Sequence, residues 1–255
     1  MESGSESDDV FFQDLPELNQ DTVVNKPNYD FLEDEEFWQE VKKIASVPGW
    51  KSCSNTESYA HFGIARLVYE KIYGDLRLLP FGNQKRYVPF FEEYPEDTTP
   101  YEVYLTTELM KRLNEITRFT KQELNVPLTL TSLTLHSGEK HDRHCRHRSG
   151  TVMDIRPFPA TRPMTWRDSV YDYQMNLRFT RFLLAHKDVT VVFFNDPRLH
   201  EDSVVKSIIQ ERQDAGNPVL FRQVAGHDNH YHIEFRLDSE VDLVTRYIKS
   251  QVDFR

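Results

Sequence analysis

The segment 231–237 alternates between apolar and polar residues with a period of two, which is typical of a half-buried β-strand. Its apolar residues are expected to face a core, while His232 and Glu234 share the opposite face. His230 lies on that polar face too, roughly 7 Å from His232 along the strand. We therefore expect a sheet that packs one face against a core and displays imidazole and carboxylate groups on the other.

The order of the remaining segments indicates the fold class. Apolar residues recur at helical spacing mainly in the first half of the chain, and period-two segments dominate the second half. This order favours an α+β fold in which a small antiparallel β-sheet is flanked by helices and preceded by a helical N-terminal extension. The predicted helices are 35–45, 56–73, 106–125, 171–186 and 240–249, and the predicted strands are 128–135, 151–158, 189–194, 219–224 and 231–237.

Composition divides the chain into three parts. Residues 1–30 are acidic and rich in Ser, Asp and Asn, which predicts a disordered tail. Residues 31–104 form the predicted helical and irregular N-terminal extension, and residues 105–255 carry the histidine motifs. The net charge of −10 argues against nucleic acid as the main ligand, because phosphate binding needs a basic surface. No apolar run reaches the length that spans a membrane.

The N-terminus and the cysteines bear on the cellular compartment. Residues 1–9 have neither the basic nor the apolar segment of a secretory signal. The expectation is a cytoplasmic protein, or else a periplasmic or secreted one whose signal has been removed. Cys53 and Cys145 are the two cysteines of the chain, so at most one disulfide can form and no disulfide framework stabilises the fold.

Histidine is concentrated in two short windows. Seven of the ten histidines lie within 136–147 and 227–232. Histidine is the commonest metal ligand, and its unperturbed pKa lies near neutrality. Two histidines and one carboxylate, with a position left open for water, form the ligand set of a catalytic zinc. The clustering therefore predicts a metal-dependent site rather than ordinary surface histidines.

Asp154 supplies the carboxylate of this hypothesis. It follows His147 by seven residues, and Gly150 between them permits the positive φ that would turn a loop into a strand. The apolar neighbours of Asp154 are expected to bury it, which is costly unless the carboxylate is paired or bound to a metal. The alternative is a structural ion pair with Arg148 or Arg156.

The ordered motifs His147-x6-Asp154 and His230-x-His232 resemble those of the LAS zinc metallopeptidases. This group comprises lysostaphin-type enzymes, D-alanyl-D-alanine metallopeptidases and the hedgehog signalling domain. The run Gly-His-Asp-Asn-His-Tyr-His-Ile at 226–233 is especially similar to the penicillin-insensitive murein endopeptidases, and so is the upstream strand 127–132. The resemblance covers residues 105–237. It implies a zinc peptidase or amidase whose substrate is a peptide crosslink or stem of bacterial cell wall.

The resemblance also implies a role for each matched residue. His230 would hold the attacking water or the tetrahedral intermediate. Asn229 stands where one branch of the family has a glutamate base, so the implied general base is His230, with His227 as the second candidate. The implied ligands of Zn²⁺ are His147, Asp154 and His232.

One family feature is missing from the chain. Family members carry a substrate-orienting arginine shortly after the residue matched by Ser132, but Leu133 and two further non-basic residues follow here. Its place would be taken by Arg143, Arg146 or Arg148, among which the sequence does not choose.

Three alternatives stay open. The imidazoles and thiolate of the first window are close enough in sequence to bind a structural zinc. The dipeptides His141-Asp142 and His227-Asp228 suggest an HD-type phosphohydrolase, although that class needs its histidines on helices. A non-catalytic LAS-like binding domain, of which hedgehog is an example, would keep the ligand set without the reaction. The candidate ligands of the structural zinc are His136, His141, His144, Cys145 and His147.

Overall fold

A computed structural model of the chain describes residues 29–46, 56–74, 78–80, 104–134, 146–159 and 163–252. Residues 1–28 of the predicted tail lie outside this range. Helices α1 and α2 have the bounds that their sequence predicts, and the Thr106 side chain caps α3 by accepting a hydrogen bond from Leu109 N at 3.2 Å. The α-helices of the described residues are α1 (Glu35–Ala45), α2 (Thr56–Tyr73), α3 (Thr107–Phe119), α4 (Tyr173–Ala185), α5 (Pro197–Glu201), α6 (Ser203–Asp214) and α7 (Ser239–Ser250).

The described strands form two sheets. A small antiparallel pair joins β1 to β2, and the main sheet has the strand order β3-β4-β7-β5-β6. Every neighbouring pair of the main sheet is antiparallel except β5 and β6, which run parallel. The predicted α+β class with a small antiparallel sheet is confirmed, apart from the parallel pairing of β5 with β6. The strands are β1 (Leu78–Pro80), β2 (Tyr104–Thr106), β3 (Leu130–Ser132), β4 (Val152–Ile155), β5 (Val189–Phe193), β6 (Leu220–Arg222) and β7 (Tyr231–Phe235).

Helix α4 covers the apolar face of the main sheet. The Phe179 ring packs edge-on against Tyr231 of β7, with centroids 5.3 Å apart, and against Phe158 at 4.8 Å. The Tyr231 hydroxyl is hydrogen-bonded to the Thr180 hydroxyl at 3.2 Å, and Ile233 is fully buried beside it. Because a shift of one residue would turn these side chains outward, the core fixes which face of β7 carries the histidines.

A second hydrophobic cluster joins the helices of the two ends of the chain. Val41 of α1, Ile64 of α2 and Val241 of α7 are fully buried in it. The helical part of 31–104 therefore packs on an element of 105–255. None of the described helices combines the length and apolar character needed to cross a membrane.

Helices α5 and α6 were not predicted. Each begins with an aspartate cap, because the Asp196 side chain accepts from Arg198 N at 3.1 Å and the Asp202 side chain accepts from Val205 N at 2.9 Å. Pro197 occupies the first turn of α5, where its missing N–H costs nothing. The two aspartate caps and Pro197 are the sequence signals for these helices.

Candidate metal centre

The main sheet places Asp154 and His232 side by side. In the antiparallel register, Asp154 of β4 is directly opposite His232 of β7, and Ser132 of β3 is opposite Asp154. Directly opposite residues point to the same face of a sheet. His147 reaches the same point from the loop before β4. Gly150 in that loop has a φ of 77°, the left-handed conformation expected where the chain turns into the strand.

The ring nitrogens and the carboxylate converge on one point. Asp154 Oδ1 lies 3.1 Å from His147 Nε2 and 3.0 Å from His232 Nδ1, and the two nitrogens are 3.3 Å apart. The exposed fractions of the three residues are 1%, 1% and 4% for His147, Asp154 and His232. This buried group can hold a metal ion.

In both His147 and His232, the ring nitrogen that points away from Asp154 is hydrogen-bonded to an acceptor. His147 Nδ1 donates to the carbonyl oxygen of Leu133 at 2.9 Å, and His232 Nε2 donates to Glu234 Oε1 at 3.1 Å. These bonds direct His147 Nε2 and His232 Nδ1 towards Asp154. Metal-binding histidines are oriented in this way, by a carbonyl or carboxylate on the far side of the ring.

The charges of the cluster shift several pKa values. Burial acts to raise the pKa of Asp154, but His147 and His230 outweigh it and hold that pKa well below its ordinary value. Burial acts to lower the pKa of His232, but its hydrogen bonds to Asp154 and Glu234 raise the pKa to about 9. These acceptors therefore favour the doubly protonated imidazole of His232 in the metal-free protein, and a bound metal ion would displace the proton on Nδ1.

His230 and His227 lie beside this group. His230 Nδ1 donates to the Asn229 side-chain oxygen at 2.7 Å, which leaves Nε2 facing Asp154 Oδ2 at 3.7 Å. Burial lowers the pKa of His230 to about 4, so its imidazole is neutral at pH 7. The His227 ring centroid is 4.9 Å from that of His230, and its Nδ1 donates to Val224 O at 3.2 Å. The structure brings all five predicted site residues together.

The polar face of β7 is covered rather than solvated. Glu234 is 4% exposed, and its carboxylate pairs with Arg146 as well as with His232. The Arg146 guanidinium carbon lies 5.9 Å from the ring centroid of Phe62 in α2 and 5.5 Å from that of Phe193 in β5. The sequence placed Glu234 on the correct face but did not reveal that it supports a histidine.

The structure places two of the three arginines proposed to orient substrate. Arg146 is committed to Glu234. Arg148 is 5% exposed and packs beneath Gly63 of α2, where an added Cβ would lie 2.8 Å from Arg148 Nη1. Gly63 thus allows the close approach of α2. The Arg146 side chain is 29% exposed but is paired with Glu234, Arg148 is buried, and Arg143 lies outside the described residues.

Several residues of the alternatives also lie outside the described residues: Cys53, His136, His141, Asp142, His144 and Cys145. The second dipeptide of the HD-type alternative can be placed. His227 and Asp228 lie in the loop between β6 and β7, and not on a helix. Asp228 accepts hydrogen bonds from Trp166, Arg167 and Asn195, so it braces the loop. Nothing in this arrangement favours the phosphohydrolase.

Comparisons of the chain with protein-family models and with curated proteins found no match. The case for a function therefore depends on the two motifs and on the geometry that joins them. That geometry is specific in one respect: the two imidazoles, from separate motifs, meet the same carboxylate oxygen at 3.0–3.1 Å.

The contact between Glu234 and His232 can be tested by the substitution Glu234→Gln. The amide keeps the shape of the side chain but removes the negative charge that makes the imidazole a stronger ligand. We expect the affinity for Zn²⁺ to fall on the order of 10- to 100-fold, as is usual when a carboxylate behind a ligating histidine is lost. Competition with a fluorescent chelator measures the affinity.

The matched control is Glu201→Gln. The Glu201 side chain is 78% exposed and pairs with Lys206 on α6, so its neutralisation should leave metal affinity unchanged. Equal affinities for wild type and Glu234→Gln would show that this carboxylate does not support the centre.

Proposed function

We propose that this protein is a zinc-dependent peptidase or amidase that hydrolyses a peptide bond in bacterial cell-wall peptide. The observation that carries the proposal is the spacing of the ligand atoms of His147, Asp154 and His232, which is 3.0–3.3 Å. Ligands bound to zinc at about 2.0–2.1 Å in a tetrahedron lie about 3.3 Å from each other. The group thus has the dimensions of three corners of a zinc site.

The kinds of donor support zinc in a catalytic role. Two imidazoles and one carboxylate are the ligands of hydrolytic zinc enzymes, whereas structural zinc sites are mostly closed by four protein ligands rich in thiolate. Among the described residues, the group contains three ligands. A zinc ion held there would polarise a peptide carbonyl and acidify a water molecule.

His230 is the proposed proton carrier. Asn229 fixes the ring so that Nε2 carries the lone pair and faces Asp154 Oδ2 at 3.7 Å. We infer that Nε2 accepts a proton from the attacking water and returns it to the nitrogen of the leaving amine. His227 is the second candidate for this role, with its ring 4.9 Å from that of His230.

The substrate class follows from the resemblance of 226–233 to the murein endopeptidases. Cell wall contains both amide and glycosidic bonds, and glycosidases need a pair of carboxylates as acid and base or nucleophile. The two buried carboxylates of this site are not available for that role. Asp154 is held by His147 and His232, and Glu234 is held by His232 and Arg146.

Purified sacculi test the proposal. We expect the zinc-loaded protein to release peptide-cleaved muropeptides while the glycan strands stay intact, as mass spectrometry of the products would show. Chelators should abolish the activity, acid pH should lower it because the imidazole ligands take up protons, and penicillin should not inhibit it because no serine is acylated.

The control for this assay is the Asp154→Ala protein, which should be inactive. If the wild-type protein holds zinc but leaves sacculi and muropeptides uncut, the proposed activity is wrong. The non-catalytic LAS-like binding domain would then be the better hypothesis.

A further inference from the structure

One row of side chains crosses the whole main sheet at the level of the candidate metal centre. The register pairs Ser132 with Asp154, Asp154 with His232, His232 with Phe193, and Phe193 with Arg222. Because directly paired residues point to the same face, all five lie on the face that carries the metal group. The row runs from a buried serine on one edge strand to an exposed arginine on the other.

The contacts along the row connect Arg222 to the centre. The Phe193 ring stacks on the His232 ring with centroids 5.2 Å apart and planes 11° apart. The guanidinium carbon of Arg222 lies 5.2 Å from the Phe193 centroid. Two strand spacings separate Arg222 from His232, which is about 10 Å. Phe193 itself is 4% exposed, and its ring lies between the candidate ligand His232 and the guanidinium of Arg222.

The backbone that carries Arg222 is fixed relative to the centre. Strand β6 ends at Arg222, and the next residues form the loop that bears His227. Asn195, just after β5, holds this loop at two points: its side-chain oxygen accepts from Val224 N at 2.8 Å, and its own N–H donates to His227 O at 3.1 Å. The arginine and the site histidines therefore share one braced segment.

Arg222 differs from Arg146 and Arg148 in the contacts of its guanidinium group. The guanidinium of Arg146 pairs with Glu234, and that of Arg148 is buried under Gly63. Within the described residues Arg222 forms no ion pair, and the contact that its charge makes is with the Phe193 ring. A guanidinium is a planar fork of donors that matches a carboxylate.

We propose that Arg222 binds a carboxylate of the peptide substrate, about 10 Å from the scissile carbonyl and hence roughly three residues away along an extended peptide. That the bound peptide is a substrate rests on the proposed function. The binding of a peptide carboxylate by Arg222 is a separate claim with its own measurement. The residue would select acidic peptides and set their direction along the sheet.

The experiment is a calorimetric titration of the zinc-loaded full-length protein with the synthetic tetrapeptide Ala-Glu-Lys-Ala. Three variants of the peptide neutralise the terminal carboxylate as an amide, the side chain as glutamine, or both. Wild type should bind the free peptide more tightly than the doubly neutral one, on the order of tenfold. The singly neutral peptides show which carboxylate Arg222 holds.

Three protein variants locate the effect. Arg222→Ala should bind all four peptides equally and as weakly as wild type binds the neutral one. Arg222→Lys keeps the charge without the fork and should retain part of the preference. Arg178→Ala, a matched control, removes an exposed arginine of α4 on the other side of the sheet, and it should behave as wild type.

The outcomes separate this proposal from the proposed function. If wild type binds the peptides equally or not at all, or if Arg222→Ala keeps the preference, Arg222 is not a carboxylate-binding residue, even when sacculi are cut. If the preference is present and depends on Arg222 while sacculi stay uncut, the carboxylate site stands and the hydrolytic function is wrong.

Discussion

Replacing His232 with alanine is expected to remove the metal from the protein. Zinc sites built from four ligands bind with about 10–16 kcal/mol, so one ligand accounts for roughly 2.5–4 kcal/mol, or on the order of 10²–10³ in affinity. The loss also leaves Asp154 and Glu234 without the imidazole that bridges them at 3.0 and 3.1 Å. Metal content per chain, measured by mass spectrometry after dialysis, should be one zinc in wild type and near zero in the variant.

His186→Ala is the matched control, because that imidazole pairs with Glu115 and packs on Phe235 at the core side of the sheet. It should keep its zinc. Full retention of metal by His232→Ala would eliminate the proposed centre. The structural-zinc alternative makes the opposite forecast for the first histidine window, in which Cys145→Ser, rather than His232→Ala, would lose the metal.

The local parts of the fold were predictable because their signals are local. The bounds of α1 and α2 follow from apolar spacing, and the face of β7 follows from a period of two that the core enforces through Tyr231 and Ile233. The candidate ligands His147, Asp154 and His232 could be chosen from the sequence for a related reason. Each of the two short motifs carries imidazole or carboxylate groups a few residues apart. The spacing within a motif can be recognised without knowing the fold around it.

The parts that sequence reasoning missed depend on contacts between distant segments. The parallel pairing of β5 with β6 places Arg222 in the row of His232, and no local pattern encodes a strand order. Glu234 is buried and paired with Arg146, and that arginine lies beside Phe62 of α2, which is far away in the chain. An alternating strand specifies which residues share a face, and the fold decides what covers that face.

The orientation of His230 illustrates the same limit. Sequence reasoning treated Asn229 as a lost catalytic residue, because an amide cannot accept a proton usefully. In the structure the Asn229 side chain accepts a hydrogen bond from His230 Nδ1 at 2.7 Å, so it selects the tautomer in which Nε2 is the base. The identity of Asn229 excludes it as a general base, but its role in orienting His230 follows only from the position of its side-chain oxygen.

The second large effect is expected from His230→Ala, which should keep its zinc and lose activity on muropeptides by roughly 10²–10⁴-fold, the usual contribution of a general acid–base group. The imidazole is not one of the three converging ligands, so metal content should not change. Its pKa of about 4 means that the wild-type base is unprotonated at neutral pH and becomes protonated only as the pH falls towards that value. Single-turnover rates and metal content, measured on the same preparation, test both halves of this expectation.

Two variants distinguish a base from a residue that only fills space. His227→Ala should reduce the rate less than His230→Ala, because it is His230 Nε2 that faces Asp154 Oδ2, at 3.7 Å. Asn229→Ala removes the acceptor that orients His230 and should lower the turnover rate without changing metal content, since neither Asn229 nor His230 belongs to the ligand group. If His230→Ala instead loses its metal, His230 is a ligand, the proton must move through His227, and the roles implied by the family resemblance are assigned to the wrong histidines.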